Sequence, residues 1–244
     1  MSKTTTSKTS GQHLTASNTR LLYANGVSVV FGTDEVLSGV SFEIQKGEFV
    51  GLVGQNGSGK TTLLRVLLGL LRPTKGEATH YGTTIGYVPQ RGQLYNGIVP
   101  MSVLEVTKLG SKGDKVKARS ALKDVGMDEF EGKDFNELSG GQQQRVVIAK
   151  ALASGANILL LDEPTTGVDE ESQAEFFNLL NRLHSEGRTI IMVSHDIDTI
   201  VKLVSRVICL NRTVVYDGIP EEFDYNHHLR NKYTRHIHHG GSHV

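Results

Sequence analysis

Nine consecutive residues, Gly54-Gln55-Asn56-Gly57-Ser58-Gly59-Lys60-Thr61-Thr62, have the composition of a loop that wraps a phosphate chain. Glycines let a backbone turn tightly and aim successive N–H groups at phosphate oxygens. A helix beginning directly after the loop adds the positive end of its dipole. Lys60 brings a point charge within reach of β- and γ-phosphates, and the Thr61 hydroxyl is a ligand for Mg²⁺. Gly54, Gly59, Lys60 and Thr61 occupy the fixed positions of the phosphate-binding loop pattern. ATP with Mg²⁺ is therefore the expected ligand pair.

A second chemical group lies about a hundred residues on. Ile158-Leu159-Leu160-Leu161 is an apolar strand that runs into two carboxylates, Asp162 and Glu163. A buried strand holds Asp162 rigidly at the carboxyl edge of a sheet, where ligands of open α/β folds sit. That position suits a Mg²⁺ role, direct or through water. Strand alternation sends Glu163 to the other face, where it can hold and polarise an attacking water as general base. A solvated strand end is the bland alternative. The phosphate loop upstream decides for chemistry.

Leu138-Ser139-Gly140-Gly141-Gln142-Gln143-Gln144-Arg145 is a second candidate anion nest, a serine hydroxyl and two glycine N–H groups at a helix start. One chain with two phosphate sites and one acid pair suggests that the second serves a partner's nucleotide. This run resembles the signature of the ABC ATPases, and the resemblance covers about Leu21 to Glu222. It implies a head-to-tail pair of chains with each ATP held between the phosphate loop of one and Ser139, Gly140 and Gly141 of the other. It implies further that Gln90, in Tyr87-Val88-Pro89-Gln90, touches Mg²⁺ or water through its amide. By the same likeness His195, after Ile191-Met192-Val193-Ser194, donates to the γ-phosphate, and Phe31 stacks on adenine, with core packing as its alternative. Asp169 matches an aspartate that communicates across the pair. Lys150 stands where the family usually has arginine, on a helix face where the change matters little.

The elements needed to position these groups are legible as alternating strands and helices. Strands are expected at Val27 to Phe31, Val40 to Ile44, Glu48 to Val53, Ile85 to Val88, Ile158 to Leu161 and Thr189 to Val193, with a closing hairpin of Arg206 to Leu210 and Val214 to Tyr216. Helices are expected at Thr61 to Leu71, from Val103 behind the Ser102/Glu105 capping box, at Lys115 to Val125, Gly141 to Ala153, Glu170 to Glu186 and Ile197 to Val204. A polar loop runs from Pro89 to about Pro100. The fold class is α/β: a largely parallel sheet covered on both faces, in a P-loop NTPase core of RecA type. The resemblance adds an antiparallel β subdomain and an inserted helical subdomain at about 92–150. Residues 1–19, rich in Ser and Thr, form an expected disordered lead-in, residues 20–225 the ATPase domain, and 226–244 a histidine-rich tail.

Composition narrows the partners. The 244 residues carry 26 Lys plus Arg and 26 Asp plus Glu, a formal net charge of zero, so no nucleic-acid partner is expected. The single cysteine, Cys209, excludes an internal disulfide and suits a reducing compartment. No apolar run reaches the roughly 18–20 residues that span a bilayer. The expected setting is the cytoplasmic face of a membrane, beneath integral permease subunits, with an extracytoplasmic solute-binding protein acting indirectly. A trimmed stretch from Gly76 to Gln90, the run Gly167-Val168-Asp169, the run Val207 to Arg212 and the histidine-rich tail resemble the ATPase subunits of zinc and manganese uptake systems. That likeness implies import of a divalent metal; another transported substrate, or an ABC ATPase without a permease, is the alternative. The intact Glu163 and His195 argue against a switch that binds without hydrolysing. His227, His228, His236, His238, His239 and His243 form either a solvated tail or a weak metal site that orders on binding.

Overall fold

The computed structural model describes residues 20–90, 100–166, 168–225 and 227. Its centre is a six-stranded sheet of β5 (Ile85–Val88), β6 (Ile158–Asp162), β7 (Thr189–Ser194), β3 (Phe49–Val53), β8 (Arg206–Asn211) and β9 (Thr213–Gly218), in that spatial order. All neighbours are parallel except the closing β8–β9 hairpin. The central strands are almost wholly apolar because both faces are covered, and alternate residues feed two different cores. Phe49, Leu159, Ile190 and Val207 face one side with Cys209. Val50, Leu160, Ile191 and Ile208 face the other.

The second face is closed by α1 (Lys60–Leu67) and by a separate antiparallel sheet of β1 (Arg20–Phe31), β2 (Asp34–Gln45) and β4 (Lys75–His80), ordered β2-β1-β4. Both strands of the β1–β2 hairpin run well beyond the expected segments. Register shifts interrupt their alternation, so only the regular stretches read as strands. β4, Lys-Gly-Glu-Ala-Thr-His, falls in the trimmed stretch before Ile85, for which no strand bounds were expected. Its residues have little strand propensity, and pairing with β1, Leu22 opposite His80, recruits it.

The first face carries α2 (Val103–Gly110), α3 (Lys115–Asp124), α4 (Gly140–Ala153), α5 (Glu170–Ser185) and α6 (Ile197–Ile200). Ser102 and Glu105 form the expected capping box at the start of α2. α1 ends at Leu67 rather than Leu71, with Gly69 turning the chain before Pro73, and α6 is one turn instead of two. Val103, Val106, Ala121 and Leu122 of α2 and α3 lie in the same buried cluster as Phe49 and Leu159, so this helical part shares one continuous core with the sheet. Most of the loop expected from Pro89 to Pro100 lies outside the described residues, as do the N-terminal lead-in and the tail histidines other than His227. The His227 amide donates to Asp224 Oδ1 at 3.1 Å. No helix among the described residues is long and apolar enough to cross a membrane.

Candidate active site

The loop between β3 and α1 is braced from beneath. A Cβ on Gly54 would overlap the Leu210 carbonyl and lie 2.6 Å from Ser58 Oγ. Gly59, with φ of 97°, begins α1; a Cβ there would sit 2.6 Å from Leu37 Cδ2 and 2.9 Å from the Val36 carbonyl, besides the left-handed strain. The β8–β9 turn holds the loop from the side: the Arg212 amide donates to the Ser58 carbonyl (2.9 Å), and the Arg212 carbonyl accepts from the Ser38 amide (2.8 Å). No side chain caps α1, so its first-turn N–H groups are left for another acceptor. Lys60 is buried; its Nζ donates to the carbonyls of Gly54 (2.7 Å) and Gln55 (3.0 Å). An ammonium has three donors, so one remains. Burial pulls the Lys60 pKa down, opposed by the charges of Glu163 and Asp162. The cleft above the loop, about 260 Å³, is lined by residues 56–62 together with Val36, Gln90, Asp162 and Glu163. The Ser58 hydroxyl on this wall is buried with no hydrogen-bond partner among the described residues.

Asp162 closes β6 and is 9% exposed. The Tyr87 hydroxyl donates to its Oδ2 at 3.2 Å. Desolvation pushes the Asp162 pKa up, the Tyr87 hydrogen bond opposes this, and the Glu163 charge adds to it. Burial, with help from Asp162, pushes the Tyr87 phenol up to about 12. Glu163 does not continue the strand. Its φ of 44° is left-handed, rare for a residue with a side chain, so strand alternation fails here and both carboxylates line one cleft. The turn carries Glu163 Oε1 to 3.3 Å from His195 Nδ1. Gln90 Nε2 donates to Glu163 Oε2 at 3.4 Å. Gln90 and His195, from beyond the ends of β5 and β7, thus converge on the Glu163 carboxylate at the end of β6.

Ser139, Gly140 and Gly141 lie elsewhere. They open α4 beside a second recess of about 220 Å³ that shares no lining residue with the first. Ser139 Oγ accepts from the Gln142 amide (3.3 Å) and Gln142 Oε1 accepts from the Ser139 amide (3.1 Å). Asp169 caps α5, accepting from the Ser172 amide at 2.9 Å, and Ser172 backs Gly141, where a Cβ would sit 3.3 Å away. Gln144, buried in α4, donates to the Pro164 carbonyl just after Glu163.

A family model described as ABC transporter matches residues 37–166. The chain belongs to the ABC transporter ATP-binding family. This ABC ATPase is 46% identical over 193 residues to a metal transport system ATP-binding protein of Thermotoga maritima, covering 77% of this chain and 80% of that one. It is 42% identical over 202 residues to the zinc import ATP-binding protein ZnuC of Cereibacter sphaeroides, covering 82% and 83%. Among solved structures it is similar to a metal-chelate type ABC transporter in an inward-facing conformation, with a TM-score of 0.79 and 27% identity over 88% of this chain and 89% of that one.

One expected residue, Phe31, stands apart from the cleft, and two others, Val36 and Tyr87, went unmarked in the sequence. Phe31, at the tip of the β1–β2 hairpin opposite Asp34, is 51% exposed, which removes the core-packing alternative. It does not line the cleft; Val36 of the same hairpin does, and nothing in the spelling of β2 marked it. Tyr87 is the other omission. It stands in the run before Gln90, but its bond to Asp162 follows from the β5–β6 register, which the spelling does not carry. No group of three or more His, Cys, Asp and Glu side chains placed to hold a metal ion occurs among the described residues.

Proposed function

We propose that this ABC ATPase hydrolyses ATP to drive uptake of a divalent metal ion, zinc foremost, through a separate membrane permease. The convergence of Gln90 and His195 on Glu163 beside the phosphate loop carries the hydrolytic part. The zinc import protein that shares 42% identity supports the cargo.

Lys60, Thr62 and the amides of Asn56 to Thr61 hold the phosphate chain. The Thr61 hydroxyl, the Asp162 carboxylate and the Gln90 carbonyl oxygen offer an all-oxygen set suited to a hard cation. The Gln90 amide nitrogen is engaged by Glu163, which leaves its oxygen for that role. Bound Mg²⁺ neutralises charge on the β- and γ-phosphate oxygens. Glu163 accepts the proton of a water that attacks the γ-phosphorus as the bond to the bridging oxygen breaks, giving ADP and phosphate. As the imidazolium, in which both ring nitrogens are donors, His195 can engage Glu163 through Nδ1 and the γ-phosphate through Nε2. Phe31, exposed at the hairpin tip, supplies a face for adenine.

The recess beside the second nest shares no described lining residue with the first, which supports its serving the nucleotide of another chain. A second copy, head to tail, brings Ser139, Gly140 and Gly141 onto the γ-phosphate. The Ser139 hydroxyl accepts from Gln142, so its own proton is left to donate. Hydrolysis removes the bridging phosphate and the pair opens; Gln144 ties each signature helix to the turn after its own Glu163, and Asp169 communicates across the pair. Permease subunits receive the motion at the cytoplasmic face of the membrane, and a solute-binding protein supplies the ion on the far side.

Glu163→Gln keeps the shape but cannot accept a proton. It binds ATP, loses about 10²–10³ in turnover measured by phosphate release, and accumulates as an ATP-bound dimer in size-exclusion chromatography. Turnover at the wild-type rate removes Glu163 from its role. In cells at limiting zinc, the same variant lowers zinc content; lowered manganese with unchanged zinc reassigns the cargo.

A further inference from the structure

The Asp162 carboxylate has a partner that phosphate chemistry does not itself call for. β5 and β6 are parallel, with Tyr87 opposite Leu160. Leu160 belongs to the core on the α1 face, and Tyr87 packs against that same core. Side chains two apart on a strand share a face, so Asp162 lies on this face one step beyond Leu160. That step carries the carboxylate about 6.6 Å further along the sheet. A tyrosine spans such a gap, and here its hydroxyl reaches Oδ2 at 3.2 Å. Among the described residues no other side chain is hydrogen-bonded to this carboxylate.

The bond has one direction: the phenol donates and the carboxylate accepts. It occupies a lone pair of Oδ2 and fixes the plane of the group at a strand end that lines the cleft. A carboxylate free to rotate would present its oxygens to a cation in many orientations, whereas a held one presents a single set. The same donor favours the carboxylate that a cation needs as ligand.

We propose that Tyr87 is a positioning residue for the cation of this site: its hydroxyl holds the Asp162 carboxylate in the orientation in which Mg²⁺ is bound. The proposal rests on the reading of Asp162 as a Mg²⁺ ligand. It predicts a residue whose loss changes the metal requirement and leaves the phosphate loop untouched.

The test titrates Mg²⁺ into the full chain with trinitrophenyl-ATP, following fluorescence, beside a parallel titration in EDTA. Tyr87→Phe keeps the ring and removes the hydroxyl; Tyr87→Leu removes both. Both variants should raise the Mg²⁺ concentration for half-maximal nucleotide binding by about tenfold and by the same factor, with metal-free affinity as in the wild type. Only Tyr87→Leu should also lower the melting temperature. A Tyr87→Phe titration that superimposes on the wild type overturns the proposal, and so does a shift seen only with Tyr87→Leu, which would assign Tyr87 to packing. Asp162→Asn separates the two layers. If it abolishes the Mg²⁺ response while Tyr87→Phe leaves it unchanged, Tyr87 alone is misassigned. If Asp162→Asn keeps the wild-type response, the ligand role of Asp162 fails and the proposal with it.

Discussion

The starts of α1 and α4 present their first-turn amides in different ways. Both are free of carboxylates at the cap and in the first turn, whereas α2, α3, α5 and α6 each carry an aspartate or glutamate there. A carboxylate at a helix N-terminus competes with phosphate for the same dipole, so its absence marks these two ends as open to an anion. At α1 no side chain caps the helix, and a buried lysine stands beside the loop. At α4 a serine–glutamine capping box satisfies two amides within the chain, and no lysine stands in the recess. On the proposed function, the first end is built for affinity and the second for persistence until a nucleotide arrives on another molecule.

That contrast can be broken from either side. Lys60→Ala removes the buried charge and strands the Gly54 and Gln55 carbonyls; it should lower ATP affinity by about 3 kcal/mol, roughly 100-fold, in a direct binding titration. Ser139→Asp keeps a good cap, so the melting temperature should hold, while a carboxylate now faces the partner's phosphate. Single-chain ATP affinity should match the wild type, and turnover at saturating ATP should fall about tenfold or more, a penalty of at least ~1.4 kcal/mol at closure. Equal affinity losses in Lys60→Ala and Ser139→Asp would place both ends in one site and end the comparison. Phe31→Ala should show the smallest effect, about 1 kcal/mol or roughly fivefold in nucleotide affinity, with stability unchanged because the ring is half exposed.

Legibility followed the range of the signal. The phosphate loop and the Ser102–Glu105 box lie within a few residues of the atoms they organise, and α2 begins at Val103 as spelled. The Ile158 strand needed only its own apolar run, and the sheet took it at that position. What escaped depends on distant partners. β4 is a strand because β1 is there to pair with it. The Tyr87 hydroxyl meets Asp162 because of a register 75 residues apart in sequence. The face taken by Glu163 escaped for a different reason: it leaves the strand through a left-handed turn, so a period-two rule assigns it to the wrong side.

The tip of the β8–β9 hairpin bears on how the chain can be handled. An exposed reverse turn late in a domain is where an epitope, a fluorescent protein or a new terminus is ordinarily grafted with little harm. Here the side chain of Arg212 is exposed, yet its amide and carbonyl are bonded to Ser58 in the phosphate loop and Ser38 in β2. A graft between Asn211 and Thr213 would pull on both, so a tag there would report on a cassette whose grip on ATP it had already loosened.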